Sequence, residues 1–365
     1  MRGVAAYGGS FFIRGGSMKI AIRVDSSTAI GSGHLMRCLT LAERMRKEQN
    51  AEVHFISRDL EGNLHGKIKD AGFLLHVLPR HPFDKSLDGY AAWLTVPQEV
   101  DAAETKEVLR EFGKVDRLVV DNYALDITWE REMRPLVDEI FVIDDLANRK
   151  HDCDILLDQN FYLDKENRYV DLVPEGCKLL LGPCHALLRE EFYEARKHLR
   201  KRDGSLRNIL VFYGGSDLTN ETMKALHALQ AFHETRLEIT VDVIVGGSNP
   251  HRQEIKTFCV ATDNRDWMRC HVQVDNMAEY MTRADLMLGA GGATTWERMY
   301  LALPSIVTAI ADNQVRVCED CAAVGMIYYL GCARDVTLAA ITQSISAMAE
   351  TLGKWNLYEV MGELS

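Results

Sequence analysis

The stretch Arg23-Val-Asp-Ser-Ser-Thr-Ala-Ile-Gly-Ser-Gly-His-Leu-Met-Arg37 decides the fold. It joins the apolar run Met18-Lys-Ile-Ala-Ile-Arg-Val24 to an amphipathic helix. In that helix Leu35, Cys38, Leu39, Ala42 and Met45 recur at the spacing of one buried face. Gly31 and Gly33 lie in the loop between, and His34 falls in the first turn. A strand, a glycine loop and a helix N-terminus together make an anion-binding corner. There the helix dipole and the neighbouring Arg37 both disfavour a charged imidazole. This predicts a neutral His34, the form that a general base needs. The same position also suits a histidine that only caps the helix, and this stretch by itself leaves both readings open.

A chain of 365 residues has room for two ordinary domains. Its formal net charge of −11 argues against nucleic acid or an anionic membrane as partner. No apolar run approaches the length of a membrane span. Residues 1–17 are Gly-rich, lack the apolar core and cleavage site of a secretion signal, and precede a second natural start at Met18. They read as a leader or an expression scar. Nine cysteines spread through predicted helices and strands point to reduced thiols and a cytoplasmic protein. Cys318 and Cys321 have metal-like spacing but no second pair nearby, and packing on one helix accounts for them. No metal and no cofactor is expected.

The first half alternates strand and helix signals. Strand-like runs at 52–57, 73–78, 116–123, 139–145 and 155–157 alternate with helical patterns at 64–71, 97–112 and 128–137. Strands that are nearly all apolar, in a βαβα order, predict a parallel sheet covered on both faces. The turn-rich stretch 79–96 is expected to be a surface loop, and 158–182 an interdomain crossing. Asp25, then Asp121 with Tyr123, then Asp144 with Asp145 stand at strand ends. Ligands of open α/β sheets bind at such carboxyl ends. These side chains are therefore expected to ring one cleft together with Gly33, His34 and Arg37.

The second half restarts the alternation. A strand at 208–213 runs into Gly214-Gly-Ser-Asp217, which brings in Gly215 and Ser216. Further strands are predicted at 238–245, 270–274, 284–288 and 305–310. The fourth of the five leads into Gly289-Ala-Gly-Gly-Ala-Thr-Thr-Trp-Glu297. Adjacent glycines there let backbone N–H groups approach a phosphate, and Thr294 and Thr295 add hydroxyl donors. Glu297 is placed to accept hydrogen bonds from two ribose hydroxyls. The expected division is a first domain at 18–182 and a second at 183–336, with a helix in 337–365 packing back towards the first.

The motif Arg-Val-Asp-Ser-Ser-x-x-Ile-Gly-x-Gly-His-x-x-Arg-Cys-Leu-x-Leu-Ala at 23–42 resembles that of the UDP-sugar hydrolases of pseudaminic acid biosynthesis. The related spore-coat polysaccharide proteins share it. The resemblance continues through Asp144-Asp-Leu-Ala-Asn-Arg149, Gly214-Gly-Ser-Asp217, the 289–297 loop and Ala311-Asp-Asn-Gln314, and covers nearly all of the chain from Met18. It implies an α/β GT-B architecture, two Rossmann-like domains facing across a cleft, with water as the acceptor. The second domain is similar to that of the enzyme adding N-acetylglucosamine to the peptidoglycan lipid. The implied reaction is hydrolysis of UDP-2,4-diacetamido-2,4,6-trideoxy-β-L-altropyranose to UDP and the free sugar, with inversion and without a metal. His34 then takes the catalytic position. The Met277 backbone lies near the uracil, Gly292, Ala293 and Thr294 near the pyrophosphate, and Glu297 on the ribose. Asn313 and Gln314 fall near the sugar and phosphates, and Arg189 is a further candidate for the phosphate charge.

Chemistry agrees with this assignment. A single displacement by water needs a base on one face of the sugar and charge stabilisation for the departing diphosphate. Asp25 is the candidate to hold the second ring nitrogen of His34. Two alternatives remain at this level. One is a transferase with a UDP-sugar donor and an acceptor other than water. The other is a non-catalytic sugar-nucleotide binder, which would have no use for His34.

Overall fold

Apolar runs with no solvated face become two all-parallel sheets in the computed structural model, which describes residues 18–235, 238–261, 263–355 and 357. The leader expected at 1–17 lies outside the described residues. The chain divides into two units between Leu187 and Leu188.

The first unit holds β1 (Lys19–Val24), α1 (Gly33–Gln49), β2 (Glu52–Arg58), α2 (His65–Asp70) and β3 (Leu74–Leu78). It continues with α3 (Gln98–Phe112), β4 (Val115–Asp121), α4 (Ile127–Met133), β5 (Val137–Ile143), β6 (Ile155–Asp158) and β7 (Lys178–Leu181). Its strand order is β3-β2-β1-β4-β5-β6-β7. Side chains alternate between the two faces of a strand, and here the alternation sorts the chemistry. Ile20, Ile22 and Val24 pack in one core with Leu35, Cys38, Leu39, Ala42 and Met45 of α1. Ala21 belongs to the opposite core, with Ala102 and Leu109 of α3 and Trp129 of α4. Arg23 and Asp25 share the side of Ala21. The Arg23 guanidinium donates to Asp25 and to Asp101 of α3, each at 2.6 Å.

The second unit holds α5 (Glu190–Lys197), β8 (Asn208–Phe212), α6 (Glu221–His233), β9 (Thr240–Val245), α7 (Arg252–Val260) and β10 (Met268–Val272). After these come α8 (Met277–Arg283), β11 (Leu286–Ala290), α9 (Thr294–Tyr300), β12 (Ser305–Ala309), α10 (Asp312–Ala323), β13 (Tyr328–Cys332) and α11 (Leu338–Thr351). The strand order β10-β9-β8-β11-β12-β13 repeats the plan of the first sheet. Both orders reverse direction beside their first strand, which places β1 with β4, and β8 with β11, at the switch points where α/β sheets bind ligands.

Three expectations are corrected here. The stretch 158–182 contains β7, paired along β6 as the last strand of the first sheet, so it belongs to that unit. The stretch 79–96 is not all loop. It contains a 3-10 turn, Gly89–Leu94, whose Leu94 is buried in the core on the α3 side of the sheet. The last helix, α11, is expected to pack back towards the first domain, but its apolar face is taken up within the second unit. Ile341, Ile345 and Met348 lie in the second unit's own core with Leu226 and Leu229 of α6.

Candidate functional site

The first cluster of candidate residues forms where α1 begins. Val24 of β1 is in register with Asp121, the last residue of β4. Asp121 has the parity of Val119, which sits in the core against α1, so its carboxylate points at the first turn of that helix. His34 Nδ1 lies 2.6 Å from Asp121 Oδ1. Arg37, one turn further along, donates from Nε to Oδ2 and from Nη2 to Oδ1, both at 2.6 Å. It also reaches Asp145 at 3.1 Å. The Tyr123 hydroxyl donates to the other Asp145 oxygen.

Burial alone would raise the Asp121 carboxyl, but the Arg37 guanidinium and the His34 ring outweigh it and hold it well below the usual carboxylate range. Asp121 is therefore an ionised acceptor. An ionised carboxylate cannot donate, and at 2.6 Å it is closer to Nδ1 than the Arg37 Nη2 at 3.2 Å, so Nδ1 carries the hydrogen and a ring with one hydrogen has its lone pair on Nε2. Nε2 has no hydrogen-bond partner among the described residues, and about a tenth of the side chain's surface is exposed.

Asp25 does not hold the imidazole. It faces the other side of the sheet, where Oδ1 accepts from Arg23 and from the Arg58 amide, and Oδ2 from Asn122. The positional cause is the strand's two-residue period. Gly33 opens α1, and a Cβ there would meet nothing within 4 Å. The positive φ, +79°, falls on Gly31 instead.

Aromatic rings enclose the imidazole. The 3-10 turn brings Trp93 to 5.6 Å and Tyr123 stands at 4.5 Å, both edge to face with His34. Trp93 and Tyr123 stack at 5.3 Å, and Tyr90 meets both edge-on. Sequence reading missed Trp93 and Tyr90 because 79–96 is rich in turn residues. The aromatic pair at i and i+3 was the available signal.

Behind this cluster, Asp158 at the end of β6 is buried against Tyr169, Arg168 and the Asn160 amide. Burial and the nearby Asp145 push its carboxyl up to about 7. A carboxyl raised in the folded state contributes stability that is full below its unfolded value, near 4, and lost as pH rises through about 7. Between pH 5 and pH 8 the wild type is therefore expected to lose several degrees of thermal midpoint relative to Asp158→Asn, at roughly 2–4 °C per kcal/mol. Parallel midpoint curves for the two proteins would remove this account of Asp158.

The second cluster lies in the other unit. Met277 opens α8, and Gly291, Gly292 and Ala293 turn the chain from β11 into α9. The amides of Gly292, Ala293 and Thr294 precede any i−4 carbonyl. A Cβ on Gly291 would stand 2.3 Å from Cys318 Sγ, so α10 packs where only glycine fits. Gln314 of α10 reaches the same turn, with Nε2 3.6 Å from the Cβ position of Gly292, and accepts from the Ile310 amide at 3.0 Å. Asn313 beside it is exposed. Gly215 and Ser216 follow β8, and a Cβ on Gly246 would stand 2.0 Å from the Gly215 carbonyl, so the two Gly-Gly-Ser turns lie directly against each other.

Thr294 is partly exposed, whereas Thr295 turns inward and accepts from the buried Arg298 at 2.8 Å. Thr295 is buried, so its hydroxyl does not face outward as Thr294 does. Arg189 is likewise committed. It pairs with Glu297 at 3.1 Å and with Glu191 at 2.6 Å, so its charge serves these carboxylates rather than a phosphate. The pairing fixes Glu297 by Oε1 and leaves Oε2 buried without a partner among the described residues. Burial raises the Glu297 carboxyl against the pull of Arg189.

Residues 209–316 match the family model of the glycosyltransferase family 28 C-terminal domain. The solved structure of a spinosyn rhamnosyltransferase bound to thymidine diphosphate superposes with a TM-score of 0.61 over 95% of each chain, at 16% identity. The chain has the GT-B fold. Three relatives match over most of this chain. The UDP-2,4-diacetamido-2,4,6-trideoxy-beta-L-altropyranose hydrolase of Campylobacter jejuni is 25% identical over 81% of this chain and 93% of its own length. A spore coat polysaccharide biosynthesis protein of Bacillus subtilis is 23% identical over 86% of this chain and 84% of its own. An uncharacterised protein of Methanocaldococcus jannaschii is 25% identical over 83% of this chain, which spans only 58% of that protein's length. No helix among the described residues of this GT-B protein is long and apolar enough to cross a membrane.

Proposed function

We propose that the protein hydrolyses UDP-2,4-diacetamido-2,4,6-trideoxy-β-L-altropyranose, or a UDP-sugar of that class, to UDP and the free sugar with inversion. The observation that carries this reading is an imidazole held by an ionised carboxylate at Nδ1 and unpartnered at Nε2. A non-catalytic binder has no need of such a pair. In the reaction, Nε2 takes a proton from water as the water oxygen bonds to the anomeric carbon. The bond from that carbon to the UDP oxygen breaks, and UDP leaves with the electron pair. A diphosphate departs without protonation, so the second carboxylic acid of an inverting glycosidase is not required. The likeness to the Campylobacter hydrolase supports the choice of sugar.

The second unit supplies the grip on the nucleotide in this proposal. The amides of Gly292, Ala293 and Thr294 face the diphosphate, the Met277 backbone faces the uracil, and Gln314, Asn313, Gly215 and Ser216 complete the polar surround. Glu297, held through Oε1 by Arg189, offers Oε2 to the ribose. Glu297→Ala is expected to weaken UDP binding by about 10- to 100-fold, the range for losing a charge-assisted hydrogen bond. Equal affinity for UDP by calorimetry would remove the ribose assignment. Affinity is also expected to fall on acidification sooner than an exposed glutamate would allow, because burial raises this carboxyl.

The reaction itself is tested by NMR of the UDP-sugar with enzyme, following UDP release and the anomer first formed. Release of UDP with the inverted anomer in the absence of any other acceptor is expected. Release only on adding a hydroxyl acceptor would make the protein a transferase.

A further inference from the structure

The rings beside His34 have chemistry that the hydrolysis itself does not use. Trp93 stacks on Tyr123 and stands at a steep angle to the His34 and Tyr90 rings. Its opposite face has no aromatic or guanidinium partner among the described residues, and the indole is only half-buried. The indole N–H has no acceptor among the described residues either. A partly exposed indole stacked on Tyr123, with an unpartnered N–H and the His34 ring 5.6 Å away, is a recognition surface for a small ligand. Around it the charged groups are already satisfied: Arg37 by Asp121 and Asp145, and Asp145 by Arg37 and Tyr123. The surface therefore favours a ligand poor in hydroxyls and rich in C–H, with one carbonyl to accept from the indole.

We propose that Trp93, steadied by Tyr90, determines sugar specificity at His34. The indole face turned away from Tyr123 receives the methyl-bearing C–H face of a 6-deoxy hexose, and its N–H donates to an acetamido carbonyl of that sugar. This rests on the hydrolase reading for the identity of the sugar, and adds the residue that selects it. A hydroxymethyl group at C6 loses this contact. Apolar pockets discriminate one added hydroxyl or one missing methylene by roughly 10- to 200-fold, and that sets the size of the effect.

The test compares wild type, Trp93→Ala and Trp93→Phe on the 6-deoxy diacetamido UDP-sugar and on UDP-N-acetylglucosamine. It also includes saturation-transfer NMR with the free 2,4-diacetamido-2,4,6-trideoxy sugar. Trp93→Ala is expected to lower kcat/KM for the deoxy substrate by roughly 10- to 100-fold, mainly through KM, with UDP affinity unchanged. Preference over UDP-N-acetylglucosamine is expected to shrink with it. Trp93→Phe, which keeps a face and loses the N–H, is expected to recover part of the loss. In the NMR experiment the C6 methyl is expected to be saturated by wild type and not by Trp93→Ala. An unchanged preference in Trp93→Ala, or the same methyl saturation in both proteins, overturns the proposal, as does the absence of any sugar saturation with wild type. If wild type releases no UDP from either substrate, the hydrolase reading falls. Methyl saturation that depends on Trp93 then still decides the inference.

Discussion

His34→Ala is expected to lower kcat by about 10²–10⁴-fold, the usual contribution of a positioned general base, with UDP affinity unchanged. The two effects separate because His34 sits in the first unit while the proposed nucleotide contacts belong to the second. Steady-state release of UDP measures the first, and calorimetry with UDP the second. Full turnover in the variant would eliminate His34 as the base. Intact turnover and lost UDP binding would mean that the histidine belongs to the nucleotide side.

Asp121→Asn is expected to have an effect of similar size, for a different reason. The carboxylate fixes which ring nitrogen carries the hydrogen, and it also neutralises Arg37 at 2.6 Å. An amide can present its NH2 to Nδ1, which places the hydrogen on Nε2, where a base is useless. The corresponding exchange in serine protease triads lowers kcat by about 10⁴, so about 10²–10⁴ is expected here. Asparagine is more informative than alanine. Alanine would leave the buried Arg37 without its main counter-ion, and breaking such a pair costs about 3–5 kcal/mol of stability. The double variant with His34→Ala is expected to be scarcely slower than either single one, since the two residues act as a unit. Undiminished kcat in a folded Asp121→Asn would show that the ring is oriented by something else.

Much of the fold was legible because the strands are continuous apolar runs and the two glycine loops sit at strand ends. β7 and β13 were harder. Lys178-Leu-Leu-Leu181 is only four residues long, and β13 carries a glycine within Tyr328–Cys332, so neither gives a period. The choice of Asp25 over Asp121 was a matter of facing rather than of recognition. Both aspartates stand at strand ends, but Asp25 has the parity of Ala21, in the α3-side core, whereas Asp121 has that of Val119, in the α1-side core. The two-residue period, applied to β1 and β4, discriminates them. Arg189 is a different case. Glu191 is two positions away, but no pattern in the sequence shows that Glu297 also balances its charge, because that contact spans 108 positions.

The placing of α11 in the second unit's own core has a consequence during synthesis. Everything that the first sheet needs has left the ribosome by about Leu187, so that half can close while translation continues. The second half cannot. Ile341, Ile345 and Met348 are needed to cover α6, and until they emerge, Leu226 and Leu229 face water, where a holdase chaperone would find them.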